Sequence, residues 1–137
     1  MPGVNESNME LYNTILSLDT STIKYAYLEN GWAGSGDYSH AEGYYTSASG
    51  KASHAAGIHT KATAEAQTAI GQYNATNDNA LFIVGNGKNI DERSNAFTVN
   101  KDGSVYIANS IKIKDRATSQ VYSLYIENGE LRMEVAE

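Results

Sequence analysis

No cysteine occurs among the 137 residues, so neither disulfides nor thiolate metal sites contribute to this protein. Large apolar side chains are missing from one long stretch. Between Gly36 and Asn77 there is no Val, Leu, Phe, Met or Trp, and the only large aliphatic residues are Ile58 and Ile70. Ala, Gly, Ser and Thr make up most of that stretch, with four tyrosines among them. At roughly 25 cal/mol per Å² of buried apolar area, it cannot stabilise itself by bulky burial. The first residues, Met1-Pro-Gly-Val-Asn-Glu, show no basic segment leading into an apolar one, so no signal peptide is expected. The longest purely apolar run, Ala80-Leu-Phe-Ile-Val84, is far too short to span a bilayer as a helix. No membrane insertion is expected. A formal charge of −6 argues against nucleic acid and against an anionic membrane surface.

Where bulk is missing, repetition is present. Laid over itself, the chain shows a period of fourteen residues: Gly36–Ser49, Gly50–Thr63 and Ala64–Asn77. One column holds Gly43, Gly57 and Gly71, and another holds Ala41, Ala55 and Ala69. His40, His54 and Thr68 share a column, as do Thr46, Thr60 and Asn74. A fixed glycine marks positive φ or close backbone approach, and the chain is expected to turn there. A fixed alanine marks room for one methyl group. Ser39 and Ala41 then point one way while His40 and Glu42 point the other. Each unit forms two short strands and two turns, one rung of a narrow parallel β-solenoid with small residues inside. About forty residues of this kind need outside support. The outward face carries His40 and Glu42, then His54 and Ala56, then Thr68 and Ile70, and grows more apolar along the chain. It is read as the face turned toward partner chains.

The flanks read as strands. Asn13–Leu18 and Thr22–Leu28 precede turn signals at Asn30-Gly31 and Gly34-Ser-Gly36. Ala80–Val84 is a short buried strand, and Ala96–Val99 and Ser104–Ala108 flank Asp102-Gly103. Val121–Ile126 and Leu131–Val135 alternate around Asn128-Gly129, a hairpin with Leu124, Ile126, Leu131, Met133 and Val135 on one face. The organisation is thus a capping or attachment segment (1–35), the repeats (36–77), a β-rich segment (78–110) and a C-terminal hairpin region (111–137). The fold class is all-β.

Ser39-His-Ala-Glu-Gly43, Ser53-His-Ala-Ala-Gly57 and Gln67-Thr-Ala-Ile-Gly71 resemble the head repeats of trimeric autotransporter adhesins of the YadA type. The resemblance implies a left-handed β-roll that assembles as an intertwined homotrimer. The continuation through Ala69-Ile-Gly-Gln-Tyr-Asn74, Ile83-Val-Gly-Asn-Gly87, Arg93-Ser-Asn-Ala-Phe97 and Asp102-Gly103 is similar to bacteriophage tail-fibre and head-fibre proteins. This wider match covers residues 36 to 108. An autotransporter needs a secretion signal and a C-terminal membrane-barrel anchor, and neither is expected in this chain, so a phage fibre is expected before an adhesin. The resemblance implies a virion component that attaches to the host surface, with other tail or capsid proteins and a host cell-surface glycan as partners. The alternative is a fragment of a bacterial surface adhesin, placed on the cell surface.

Sharper chemical readings fit poorly. A hexapeptide acyltransferase needs a six-residue period with a large aliphatic residue in each unit. An ice-binding face needs a longer threonine column than Thr46 and Thr60. Asp91-Glu92 beside Arg93 reads as a solvated loop, and Gly85-Asn-Gly87 lacks the context of a phosphate loop. No nucleophile–base–acid set is visible, so neither catalysis nor a cofactor is expected. His40 and His54 could hold a metal ion near a three-fold axis, but with scattered carboxylates they are read as hydrogen-bonded interface residues, with no metal expected and His59 exposed. Trp32, Tyr44, Tyr45 and Tyr73 are the candidate ligand-binding residues, since aromatic faces stack well on sugar rings.

Overall fold

The structure, a computed structural model, describes residues 26–27 and 32–137. The expected strand at 13–18 lies outside the described residues. Of the expected 22–28 strand, only Ala26–Tyr27 (β1) is described. Every regular element among the described residues is a strand. β2 (Trp32–Gly34), β4 (Ser47–Ala48) and β6 (Lys61–Ala62) pair in parallel, and β1 adds to β2 antiparallel. β3 (His40–Tyr44), β5 (His54–Ile58) and β7 (Thr68–Gln72) form a second parallel wall, which continues into β8 (Ala80–Asn86). β9 (Asn95–Asn100) and β10 (Val105–Ile107) extend that wall antiparallel. The chain is therefore all-β, with a β-solenoid of about three turns. A separate three-stranded sheet follows, ordered β11 (Ile111–Lys114), β12 (Val121–Glu127), β13 (Glu130–Val135).

The interior between the two walls is as thin as the composition requires. Ala41, Ala55 and Ala69 from one wall and Ala48 and Ala62 from the other are fully buried. Ser39, Ser53, Thr46 and Thr60 complete each layer. Ladder pairings hold identical columns in register: His40 with His54, Ala41 with Ala55, Gly43 with Gly57. The glycine column satisfies both conditions inferred for it. Gly43, Gly57 and Gly71 have φ of 109°, 115° and 90°. A methyl on Gly57 would sit 2.0 Å from the Gly71 carbonyl oxygen.

The chain does not, however, turn at those glycines, which lie inside β3, β5 and β7. It bends at two other columns in the left-handed conformation: Tyr38, Ala52 and Ala66, and again Tyr45, His59 and Tyr73. Left-handed backbone costs a non-glycine residue roughly 1–2 kcal/mol. Ladder hydrogen bonds offset it in the second and third rungs, where these residues donate to the rung before. Ala52 N–H reaches Asp37 O at 2.7 Å, and His59 N–H reaches Tyr44 O at 2.7 Å. The bend persists because the neighbouring rung holds it.

For two of the columns that change identity in the third rung, the structure shows why. β6 has no parallel successor, so its outer backbone groups lack a strand partner. Asn74, standing where earlier rungs have Thr, supplies one with its side chain. Its Oδ1 accepts from Lys61 N–H at 2.7 Å and its Nδ2 donates to Lys61 O at 2.9 Å. Gln67, standing where earlier rungs have Ser, is fully buried. Its Nε2 donates to Asn77 O and Ala80 O, and its Oε1 accepts from Thr63 N–H. Ile83 takes the next place in the alanine column and fills the end of the roll.

The threonine column offers an internal comparison. Thr60 Oγ1 donates to Ala56 O at 3.1 Å, whereas Thr46 Oγ1 is buried with no partner among the described residues. A buried hydroxyl stabilises only when it is bonded. Thr60→Val is expected to cost about 1 kcal/mol, and Thr46→Val to be neutral or slightly stabilising. Urea melts of the two variants check this, and equal losses would contradict the assignment.

Candidate functional site

Two outward surfaces of the solenoid carry the residues singled out from the sequence. The first lies along the bend between the walls. Tyr45, His59 and Tyr73 occupy one column, and their rings form a continuous stack. Tyr45 and His59 lie 5.0 Å apart and 5° from parallel, and His59 and Tyr73 lie 4.9 Å apart at 13°. Tyr44 sets its edge against Tyr45 at 4.6 Å and against His59 at 5.6 Å. His59 is therefore half-buried between two tyrosines rather than exposed as the sequence suggested. Both its faces are covered, as is one face each of Tyr45 and Tyr73. A sugar ring would meet the exposed Tyr44 ring and the edges of the stack. Tyr44 and Tyr45 are 55% and 51% exposed, so these groups are accessible. Trp32 lies on β2, in the opposite wall, and its side chain is outside the described residues.

Arg93-Ser-Asn-Ala-Phe97 locks the far end of this column. Arg93 Nη1 donates to His59 O at 2.8 Å and to Asn74 O at 3.2 Å. Asn95 exchanges two hydrogen bonds with the Ala75 backbone, accepting from its N–H and donating to its carbonyl. Lys88 pairs with Glu92 at 3.3 Å on the exposed side of the loop. Arg93 is thus a structural clamp.

The second surface is the outer face of the six-stranded sheet. All six interface candidates lie on it. His40 and Glu42 are exposed, and His54, Ala56, Thr68 and Ile70 are half-buried. Past them the same face carries Phe82 and Val84 on β8, Phe97 and Val99 on β9, and Val105 and Ile107 on β10. The Phe82 and Phe97 rings meet edge-on at 6.3 Å. The face therefore runs from polar to apolar over six strands, further than the repeat alone indicated. Sequence reading missed the last six residues because the side of Phe82 and Val84 follows from the β7–β8 pairing, and that of the other four from the β8–β9 register, which contains two irregularities.

At the polar end three side chains converge. His40 and His54 are ladder partners with ring centroids 5.3 Å apart. Glu42, two residues along the same face, points between them. Its Oε2 lies 3.5 Å from His40 Nε2 and its Oε1 3.7 Å from His54 Nε2. Its ladder partner is Ala56, whose small side chain leaves the carboxylate room to swing across.

The C-terminal sheet presents a third surface. Ile111 pairs with Leu124, Leu124 with Met133, and Ile126 with Leu131, so one face is apolar throughout. Leu131 is 70% exposed. The hairpin forms where the alternation placed it, with Asn128 and Gly129 at φ 52° and 80°, as a two-residue turn demands. Asp115 tightens the preceding loop by accepting from Ala117 and Thr118 N–H, which holds its carboxyl below the usual range. Desolvation beside Glu134 pushes the Tyr125 hydroxyl above its ordinary value.

Comparison with protein families, with curated proteins and with solved structures returns no match.

Proposed function

We propose that this chain is a homotrimeric, non-enzymatic fibre component of a phage virion that helps attach the particle to its host. The observation that supports self-association is the exposed apolar surface, spread over the outer sheet face and one side of the C-terminal sheet, and the number three comes from the resemblance of the repeats. Val105, Ile107, Ile111, Ile113, Ile126, Leu131, Met133 and Val135 are all exposed in the single chain. Soluble proteins rarely leave contiguous surface of this kind bare, and the alanine interior is too thin to compensate. The resemblance of the repeats to phage fibre and adhesin heads supports the same reading and suggests the partner surfaces. Attachment would use shallow sites on the Tyr44–Tyr45 edge of the aromatic stack, weak singly and strengthened by three-fold presentation.

Sedimentation equilibrium is expected to return three times the 14.8 kDa chain mass. Ile107→Asp combined with Met133→Asp, both at exposed positions, is expected to dissociate the assembly. A folded monomer for the parent at micromolar concentration would overturn the trimer. For attachment, the parent is expected to bind host cells or purified wall polysaccharide at least about tenfold better than the Tyr44→Ala, Tyr45→Ala double variant. Equal binding removes these tyrosines from the site, and no binding by the parent makes the chain a structural spacer.

A further inference from the structure

We propose that His40, Glu42 and His54 form a binding site for one divalent transition-metal ion per chain, zinc being the best fit. The argument rests on convergence, not on the residue types alone. One ligand atom from each of the three lies within 4.8 Å of the others. In a tetrahedral zinc site, with bonds near 2.0–2.1 Å, neighbouring ligand atoms stand about 3.3 Å apart. Glu42 Oε2 lies 3.5 Å from His40 Nε2 and Oε1 lies 3.7 Å from His54 Nε2, so side-chain rotations that bring one oxygen between the two nitrogens would convert this arrangement into a coordinating one.

The backbone supplies the preorganisation. Parallel register fixes His40 directly beside His54, about one strand spacing of 4.8 Å away. The alternation of β3 puts Glu42 on the same face, and Ala56 leaves space on the neighbouring strand for its carboxylate. None of the three lies on a bend or at a chain end, so the ladder holds their Cα positions. The site occurs once, because the next rung offers Thr68 and Ile70 in the corresponding columns. Two imidazoles and one carboxylate select zinc, copper or nickel over calcium and magnesium, which take oxygen ligands in greater number. Three protein ligands leave a fourth position open, on the side where His40 and Glu42 are exposed in the single chain. Sequence reading considered the histidine column but not Glu42, because the carboxylate belongs to the first rung alone and leaves no trace in the repeat.

The experiment titrates the intact, chelator-treated protein with zinc chloride by calorimetry and with cobalt chloride by visible absorption. One ion per chain is expected, with a dissociation constant on the order of micromolar. Intense d–d bands with cobalt would report a four-coordinate site. Glu42→Gln and His54→Ala are expected to weaken binding by at least about a hundredfold, beyond the roughly 10–100-fold that loss of an outer-shell partner costs. Circular dichroism checks that both variants remain folded, and His59→Ala is the control that should bind like the parent. No heat with zinc up to millimolar concentration overturns the site. So does unchanged affinity in Glu42→Gln, and so does one ion per three chains, which would mean histidines shared on an axis. These outcomes are independent of host attachment, which the binding assay reads separately.

Discussion

Gly57→Ala is expected to destabilise the protein by about 4 kcal/mol, a loss normally reserved for large core truncations. Gly57 is only half-buried, so its exposure gives no warning of this. Two causes combine. At φ 115° an L side chain is strained whatever space surrounds it. The new methyl would also stand 2.0 Å from the Gly71 carbonyl oxygen, a rigid backbone atom that belongs to the next rung of the ladder. The clash cannot be relieved without separating β5 from β7, and the pairing of Ala55 with Ala69 would go with it. Gly103→Ala isolates the first cause. Gly103 has φ 86° with nothing within 4 Å of an added methyl, so it should lose only about 1 kcal/mol. Denaturant melts of both variants decide the matter. Equal losses would mean that the rungs are further apart at this column than the structure has them.

Ala55→Leu is expected to prevent folding at ambient temperature. Overpacking an ordinary core costs about 1–3 kcal/mol, because neighbouring side chains shift to make room. Here the neighbours are Ala41 and Ala69 in the same column and Ala48 and Ala62 across the interior, all fully buried. None has side-chain freedom to give. Three extra carbons must therefore push the two walls apart, and those walls are held by ladders in which every rung depends on the next. The matched control is Ala56→Leu, one residue along on the outer face of β5. It should fold, with any effect appearing in assembly rather than in the unfolding of the chain. A far-ultraviolet melt of Ala55→Leu coincident with that of the parent would place the column outside the interior.

These two columns were legible in the sequence because they are invariant, and invariance under a fixed period exposes a steric constraint shared by every rung. What varies stayed hidden. The bends at Tyr38, Ala52 and Ala66 use different side chains for one backbone conformation, so no column signal marks them. Gly85 stands fourteen residues after Gly71 and pairs with it, yet its surroundings no longer match the repeat, and the ladder's continuation into β8 was not visible. His59 looked solvent-facing because a bend residue has no alternation to follow. Its burial comes from Tyr45 and Tyr73, each one rung away in space and fourteen residues away in sequence. Glu42 became part of a cluster for the same reason. Neighbours across rungs are read from register, and register is a property of the whole ladder.

The lid formed by Gln67 and Asn74 has a consequence for how such a chain can change its length. Both residues belong to the third rung and cover the open edge of β6, while β5 of the same middle rung, 50 to 63, pairs with an equivalent strand on either side. A duplicated copy of that middle segment would join its neighbours through the same columns and leave the closure intact. Each insertion of fourteen residues would raise the shaft by one strand spacing, about 4.8 Å, without any new interface being invented. The molecule behaves as a ruler whose graduations can be copied, with its end-stop written separately from its scale.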